Sequence, residues 1–294
     1  LFNHKQQDAH ELLCLLLDAI HQDTNGLVQS ERNGGSGGGD ASRRTSHYGG
    51  GGMMGCLGFR RPEQPVVEAT DDWVDVPETS SSGGGLECDV TDVDSVVSKF
   101  VAGRLCSEVQ CKACHYKTHN REGFFTLSVP IPQSKARGSS AYYQNDETTL
   151  QDCFSLLEKE EQSLPWVCDK CSQTGASKRI WVVSHPKVLI VHLERFGYVN
   201  GRRFKRDDAV TIPVHGFVRE DVSESKVRTQ AVYDLCAWTE HIGADDSCGH
   251  YIAYAKHIDG RHYKFDDHIV SPISCPSPTI RSRTAYVLFY ERRD

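Results

Sequence analysis

No stretch of this 294-residue chain is apolar enough to cross a membrane as a helix. A spanning helix takes about 18 apolar residues in a row, and one of the longest runs here, residues 12–17, stops at Asp18. A basic start followed by an apolar core is also missing, so nothing marks the chain for secretion. There is no internal repeat. Positive charge is in deficit: 33 Lys and Arg against 40 Asp and Glu give a formal charge of −7. That balance opposes a protein that grips a phosphate backbone. Apolar residues make up only 38% of the chain, which suffices for a core because some segments lie outside it. The length fits one large or two modest domains. The first residue is Leu1 rather than Met, which suggests a fragment.

Twelve cysteines are present, yet the chain is far longer than the small secreted domains that depend on disulfides. Four of them form two CxxC pairs, Cys111/Cys114 and Cys168/Cys171, and the other eight are scattered. Each pair can make a tight turn that presents two thiolates to one ion, and two such turns complete a tetrahedral four-thiolate zinc site. Two unrelated pairs of buried thiols would give the same pattern. The 53 residues between Cys114 and Cys168 exceed the spacing of a simple zinc ribbon. The turns are therefore expected on separate hairpins that meet at the tip of a β-extension, in a closed, structural site. His115 and His119 lie nearby without a coordination position to fill.

Apolar residues at helical spacing (Leu12, Leu13, Leu16, Leu17, Ile20) predict an amphipathic helix over residues 6–21, acidic at its start through Asp8 and Glu11. The Gly-rich segment 33–58 cannot bury enough apolar surface to offset its chain entropy and is expected to be disordered. A second soft stretch covers 78–85, with Trp73, Val74 and Val76 hinting at a brief ordered element between the two. Helices are expected near 96–100 and at 150–157, the latter capped by Thr148 or Thr149. Strands are expected at 103–109, 124–129, 179–184, 188–196, 232–239, 251–257, 262–265 and 285–291. A helical start and a strand-rich remainder make an α+β architecture.

The segment 248–270, CGHYIAYAKHIDGRHYKFDDHIV, is a hairpin with His250 opening its first strand and Asp266 ending its second. A strict two-residue turn at Asp259-Gly260 sets Asp266 opposite Ala253, so a longer loop or a bulge is needed to bring carboxylate and imidazole together. If they meet, the carboxylate fixes the tautomer of a histidine that deprotonates a Ser or Cys nucleophile. By themselves, a His and an Asp on a hairpin fit an ordinary solvated pair equally well.

Gly249-His250-Tyr251 and Tyr263-Lys264-Phe265-Asp266-Asp267 resemble the His box of the ubiquitin-specific proteases, papain-like cysteine deubiquitinases. Gln6-Gln7-Asp8-Ala9-His10-Glu11 is similar to that family's QQDAHE helix. The CxxC pairs resemble its fingers zinc site, and 191–196 resembles its HLKRF strand with Glu194 in place of Lys. The resemblance covers residues 1–26 and about 90–294. It implies a papain-like cysteine protease fold with a truncated helical thumb (1–26), a Gly/Ser-rich, largely disordered insertion (27–90), and fingers and palm (91–294, fingers roughly 101–185). It also implies one structural zinc on Cys111, Cys114, Cys168 and Cys171, no catalytic cofactor, and His250 and Asp266 as catalytic residues with Asp267 auxiliary.

The family's nucleophile lies in a GLxNxGNTCxxN-like box upstream of the QQDAHE helix, and no cysteine here has that context. Cys14 is expected to pack as a small apolar residue, and Cys248 is no nucleophile because i and i+2 side chains do not face each other productively. As written, the chain is expected to be inactive; the complete protein would cleave the bond after the C-terminal glycine of ubiquitin. A catalytically dead ubiquitin-binding scaffold is the alternative. Ubiquitin and ubiquitinated proteins are the implied partners, with no nucleic acid and no membrane insertion, in the cytoplasm or nucleus. A nucleic-acid-binding zinc protein fits only the CxxC pairs and the Arg202–Arg206 cluster. Asp8, Gln7 and, more weakly, Glu11 are the expected partners of ubiquitin's basic tail, although in isolation these charges read as a helix end in water. Tyr251 and Phe265 either line the channel for that tail or fill the core, and the core is the expectation.

Overall fold

The computed structural model describes residues 8–33, 95–133, 147–199, 202–222, 228–244, 248–274 and 276–293. Gln7, most of the Gly-rich segment and residues 73–85 lie outside the described residues. The helices are α1 (Ala9–Asn33), α2 (Val96–Val101) and α3 (Leu150–Leu157). The strands are β1 (Gly103–Cys111), β2 (Lys117–Phe124), β3 (Thr126–Pro130), β4 (Glu161–Val167), β5 (Thr174–Ser184), β6 (Val188–Glu194), β7 (Phe196–Val199) and β8 (Arg202–Lys205). They continue with β9 (Val210–Pro213), β10 (Phe217–Val222), β11 (Arg228–Ile242), β12 (His250–Lys256), β13 (His262–Asp266), β14 (Ile269–Ile273), β15 (Thr279–Ser282) and β16 (Ala285–Arg292).

Eight strands form the main sheet, in the order β14-β13-β12-β11-β16-β6-β3 with β10 added on β11. Its pairings are antiparallel except for β3 against β6. The central strands carry near-continuous apolar runs, as in Val188–Glu194 and Ala285–Arg292, because both faces are covered. One face packs with α3, whose Leu150, Cys153 and Phe154 join Leu127, Leu189, Val191, Leu193 and Leu288 in the larger core. Thr149 caps α3 in a reciprocal capping box with Asp152. A smaller cluster of Ile190, Tyr286 and Val287 receives Leu13 and Leu17 of α1. The other half of the predicted apolar stripe, Leu12, Leu16 and Ile20, is about half exposed. The helix itself continues to Asn33, beyond the boundary at 26 that the resemblance implied.

Arg195, which follows β6, is fully buried. Its guanidinium donates to the backbone carbonyls of Ala285, Arg206, Asp208 and Ser282, tying four segments together. Burial lowers its pKa to about 10, which still leaves it charged at neutral pH. A separate four-stranded sheet, β2-β1-β5-β4, extends from this body.

Candidate active site and metal centre

The four-stranded sheet is made of two hairpins, and each carries one CxxC pair at its turn. Cys111 ends β1 and Cys168 follows β4. In both turns the N–H of the residue four positions on, His115 or Ser172, donates to the cysteine carbonyl, at 3.0 and 2.7 Å. Both of those residues have positive φ, 59° and 56°, so the two turns share one conformation. The N–H of Lys112 donates to the Gly175 carbonyl and stitches one hairpin to the other. The four Sγ atoms lie within 4.8 Å of one another. The Cys111–Cys171 and Cys114–Cys168 pairs are 3.7 and 3.6 Å apart. Tetrahedral ligands at about 2.3 Å from a zinc ion stand about 3.8 Å apart, so the cluster fits such an ion. The backbone N–H of Cys114 aimed at Cys111 lowers that thiol to about 7, while burial and the neighbouring thiols push Cys171 up to about 12, so the four do not all ionise by themselves.

His250 and Asp266 meet, and hairpin register is the reason. The N–H of His257 closes on the Arg261 carbonyl, which leaves Ile258, Asp259 and Gly260 as a three-residue loop with Gly260 at φ +85°. The extra loop residue pairs Lys256 with His262 and Ala253 with Phe265. Asp266 therefore stands one step on, at the level of Ile252, and shares a face with His250 because strand side chains alternate. The two are diagonal neighbours, and His250 Nε2 lies 2.6 Å from Asp266 Oδ1. The other carboxylate oxygen accepts from Lys264 Nζ at 2.9 Å. Hydrogen bonding to Asp266 raises the pKa of His250, with Asp267 adding to the rise. The same bond, with that from Lys264, holds the Asp266 carboxyl below its usual range.

Asp267 follows in the turn between β13 and β14, with φ 53°. Together His250, Asp266 and Asp267 form a group of possible metal ligands, but the Lys264 ammonium on Asp266 opposes a cation there. Two glycines pack around the entry to the strand. A Cβ on Gly249 would lie 2.4 Å from His241 Nε2, and one on Gly243 2.5 Å from the Cys248 carbonyl oxygen. His241 is fully buried, against Phe196 and Tyr251.

Asp8 begins α1. Its Oδ1 accepts from the N–H groups of His10 (2.7 Å) and Glu11 (3.1 Å), and its Oδ2 accepts from the Tyr286 hydroxyl at 2.5 Å. Glu11 is exposed. His10 is buried, hydrogen-bonded to Thr126 Oγ1 and stacked on His192 at 3.8 Å, and His192 Nδ1 bonds Ser128 Oγ. Cys14 is buried beside them, with its Sγ 3.5 Å from His10 Nε2 and 3.7 Å from Thr126 Oγ1. Tyr251 is half-buried against the smaller cluster, but Phe265 is 39% exposed, which corrects the expectation of a core residue. Its partner on the edge strand is Val270, itself exposed, so the sheet runs out before Phe265 is covered. Sequence reasoning did not single out Lys264 or Tyr286; strand alternation, which puts Lys264 on the Asp266 face, was the available signal.

The family model described as "Ubiquitin carboxyl-terminal hydrolase" matches residues 1–290. The chain belongs to that family. It is 32% identical over 299 residues to ubiquitin carboxyl-terminal hydrolase 21 of Mus musculus, covering 98% of this chain and 46% of the relative. With ubiquitin carboxyl-terminal hydrolase 3 of Mus musculus the identity is 28% over 298 residues, 99% of this chain and 49% of the relative. The chain thus spans about half the length of these curated relatives. Among solved structures, the SAGA Ubp8/Sgf11/Sus1/Sgf73 DUB module bound to ubiquitin aldehyde matches with a TM-score of 0.55 and 27% identity, over 68% of this chain and 43% of that one. The ubiquitin-specific protease fold expected from the motifs is thereby shown.

Proposed function

We propose that this chain is the palm-and-fingers part of a cysteine-type deubiquitinase, which cleaves the peptide or isopeptide bond after the C-terminal glycine of ubiquitin. The observation that carries the reading is the 2.6 Å His250–Asp266 contact inside a family match over residues 1–290. Asp266 takes Nε2 of the imidazole and leaves Nδ1 to work as the base. In the whole protein a cysteine from a Cys-box segment gives its thiol proton to Nδ1, and the thiolate adds to the glycine carbonyl. The C–N bond then breaks as His250 returns that proton to the leaving amine. His250 next takes a proton from water, which hydrolyses the thioester and restores the thiol. The printed sequence has no cysteine in such a box, so the 294-residue chain is expected to bind without turning over.

Tail recognition falls to the start of α1. Asp8 has its carboxylate fixed by the helix N–H groups and Tyr286, and its remaining lone pairs suit a basic tail residue. Gln7 is a backbone partner, and Glu11 a weaker ionic one. Asp267 sits beside the pair as its auxiliary carboxylate. The four-cysteine cluster holds a structural zinc that fixes the fingertip turns and takes no part in the chemistry. Ubiquitin and ubiquitinated proteins are the partners, in the cytoplasm or nucleus, with no role for nucleic acid or membrane insertion.

The test is a ubiquitin probe with a C-terminal thiol-reactive warhead, offered to a longer protein bearing a Cys-box segment, to its His250→Ala form and to the 294-residue chain. Labelling of the longer protein alone, with turnover lost in His250→Ala, is expected. Tight ubiquitin binding without labelling of any form would replace this reading with a binding scaffold.

A further inference from the structure

The His250–Asp266 pair has a third member that the acid–base chemistry does not itself need. Lys264 lies two residues before Asp266 on β13, so alternation puts both side chains on the His250 face. Its ammonium is 2.9 Å from Asp266 Oδ2, while Oδ1 takes His250 Nε2 at 2.6 Å. A carboxylate held at both oxygens by donors on either side cannot swing about its last torsion without losing one of them. The neighbouring acidic side chain, Glu240, is already engaged by the hydroxyls of Ser282 and Thr284. Lys264 therefore has Asp266 as its ion-pair partner. Directly across from it on β12 is Tyr254, whose ring is stacked on buried Trp238 at 4.6 Å.

We propose that Lys264 is a positioning residue of the active site: its ammonium occupies the far oxygen of Asp266 and takes a share of the carboxylate's charge, while the near oxygen stays on the imidazole. The inference rests on the deubiquitinase reading for its consequence in catalysis, but the clamp itself belongs to the chain as it stands. Among the described residues, the charged groups that act on His250 are Asp266, Asp267 and Lys264, and those that act on Lys264 are Asp266, Glu240 and the Tyr254 hydroxyl. Of the three that face His250, Lys264 alone disfavours the imidazolium. Removing it leaves two carboxylates unopposed and the imidazolium more favoured.

The first measurement uses the 294-residue chain carrying isotope-labelled histidine, with the His250 ring signal identified by its loss in His250→Gln. Its titration is followed in the unaltered protein, in Lys264→Met and in Lys264→Arg. The His250 midpoint is expected to move up in Lys264→Met and to return toward its original place in Lys264→Arg, with the amide spectrum unchanged outside β12–β14. A Lys264→Met midpoint that stays put or falls overturns the proposal. So does Lys264→Arg behaving as Lys264→Met. This arm requires no activity, so it stands even if the deubiquitinase reading fails.

The second arm uses the longer protein with its Cys-box segment. Lys264→Met is expected to lower kcat/KM at pH 7 by about two- to fivefold, the scale of a partly exposed ion pair. The limb of the pH–rate profile that follows His250 should move up, with ubiquitin affinity kept. A uniform loss with no movement of that limb overturns the positioning role and makes Lys264 merely structural. If the longer protein hydrolyses nothing while the midpoint shift is found, the functional reading fails and the clamp survives.

Discussion

Gly249→Ala tests whether the backbone ahead of the histidine is what places it. A methyl group at 249 would sit 2.4 Å from Nε2 and 2.8 Å from Cε1 of His241, and 2.8 Å from the Ile242 carbonyl oxygen. Ordinary contacts of this kind lie near 3.5 Å, so about 1 Å of overlap must be relieved. The His241 ring has nowhere to go, being fully buried between Phe196 and Tyr251. Residues 248–250 must move instead, and the Ile242–His250 pairing that opens β12 moves with them. A 1 Å displacement breaks the 2.6 Å contact to Asp266, and misplacement of that size costs about a hundredfold in rate. Overpacking adds about 1–3 kcal/mol of destabilisation, a fall of about 2–10 °C in Tm for a domain of this size. The assays are kcat/KM on ubiquitin with a C-terminal fluorophore, in the longer protein, and thermal melting of the 294-residue chain. Gly216→Ala is the control: its φ of +69° makes alanine strained, but its added Cβ meets nothing within 4 Å, so stability falls while activity holds. Gly249→Ala with activity within twofold of the parent and an unchanged Tm would refute the reasoning.

Removing the metal should loosen the fingers and leave the palm. A strong chelator or Cys171→Ser is expected to abolish amide-exchange protection in the β1/β2 and β4/β5 turns, while β6 and β16 keep theirs; equal protection with and without metal would count against a structural zinc. Deleting Ile258 should convert the three-residue loop to two and turn Asp266 to the far face, so turnover is lost although the sheet persists; retained activity would show that register is not what joins the pair. Arg195→Met leaves two buried and two partly buried carbonyls without their donor and should cost about 3 kcal/mol or more, read as a lower denaturation midpoint; a midpoint within experimental error would be incompatible with that role. Burial lowers the pKa of both His10 and His192, which stack beneath α1. The unfolded chain takes up protons near pH 6.5 while the folded one does not, so their contribution is full above that pH and is lost as pH falls below it. Each adds a slope of about 1.4 kcal/mol per pH unit. His192→Phe, which keeps the stack, should flatten the decline in α1 protection between pH 6.5 and 5, and an unchanged slope would exclude the pair as its cause.

The parts of the molecule that could be read in the sequence are those where one local rule decides. The CxxC spacing gave the fingertip, because two ligands per turn and two turns per ion leave little freedom; the matched backbone at His115 and Ser172 is that rule made visible. The central strands were legible because two covered faces demand continuous apolar residues. The edge strands of the four-stranded sheet were not. β2, KTHNREGF, is largely exposed, so no alternation marks it, and β4 carries Pro165 and a left-handed Ser163 amid shifts of register. Such irregularity is tolerated only where no further strand must pair. Phe265 was misplaced for a related reason, since an aromatic residue on a strand looks like core until one knows that the next strand is the last.

The candidate site falls between these cases. His250 and Asp266 were identifiable, but their meeting depends on a single loop residue. With Ile258, Asp259 and Gly260 in the loop, Asp266 and His250 share a face; with two residues they would lie on opposite faces. Local sequence does not decide between those loops, because Asp259-Gly260 suits a two-residue turn as well. The longer loop is the one whose register sets Tyr263 against Ala255 on one strand and Pro272 on the other, and Phe265 against Ala253 and Val270. The same registration carries Lys264 onto the catalytic face. A one-residue change in a surface loop, more than ten ångströms of strand away from His250 by the rise of about 3.4 Å per residue, would therefore part His250 from Asp266 and Lys264 together.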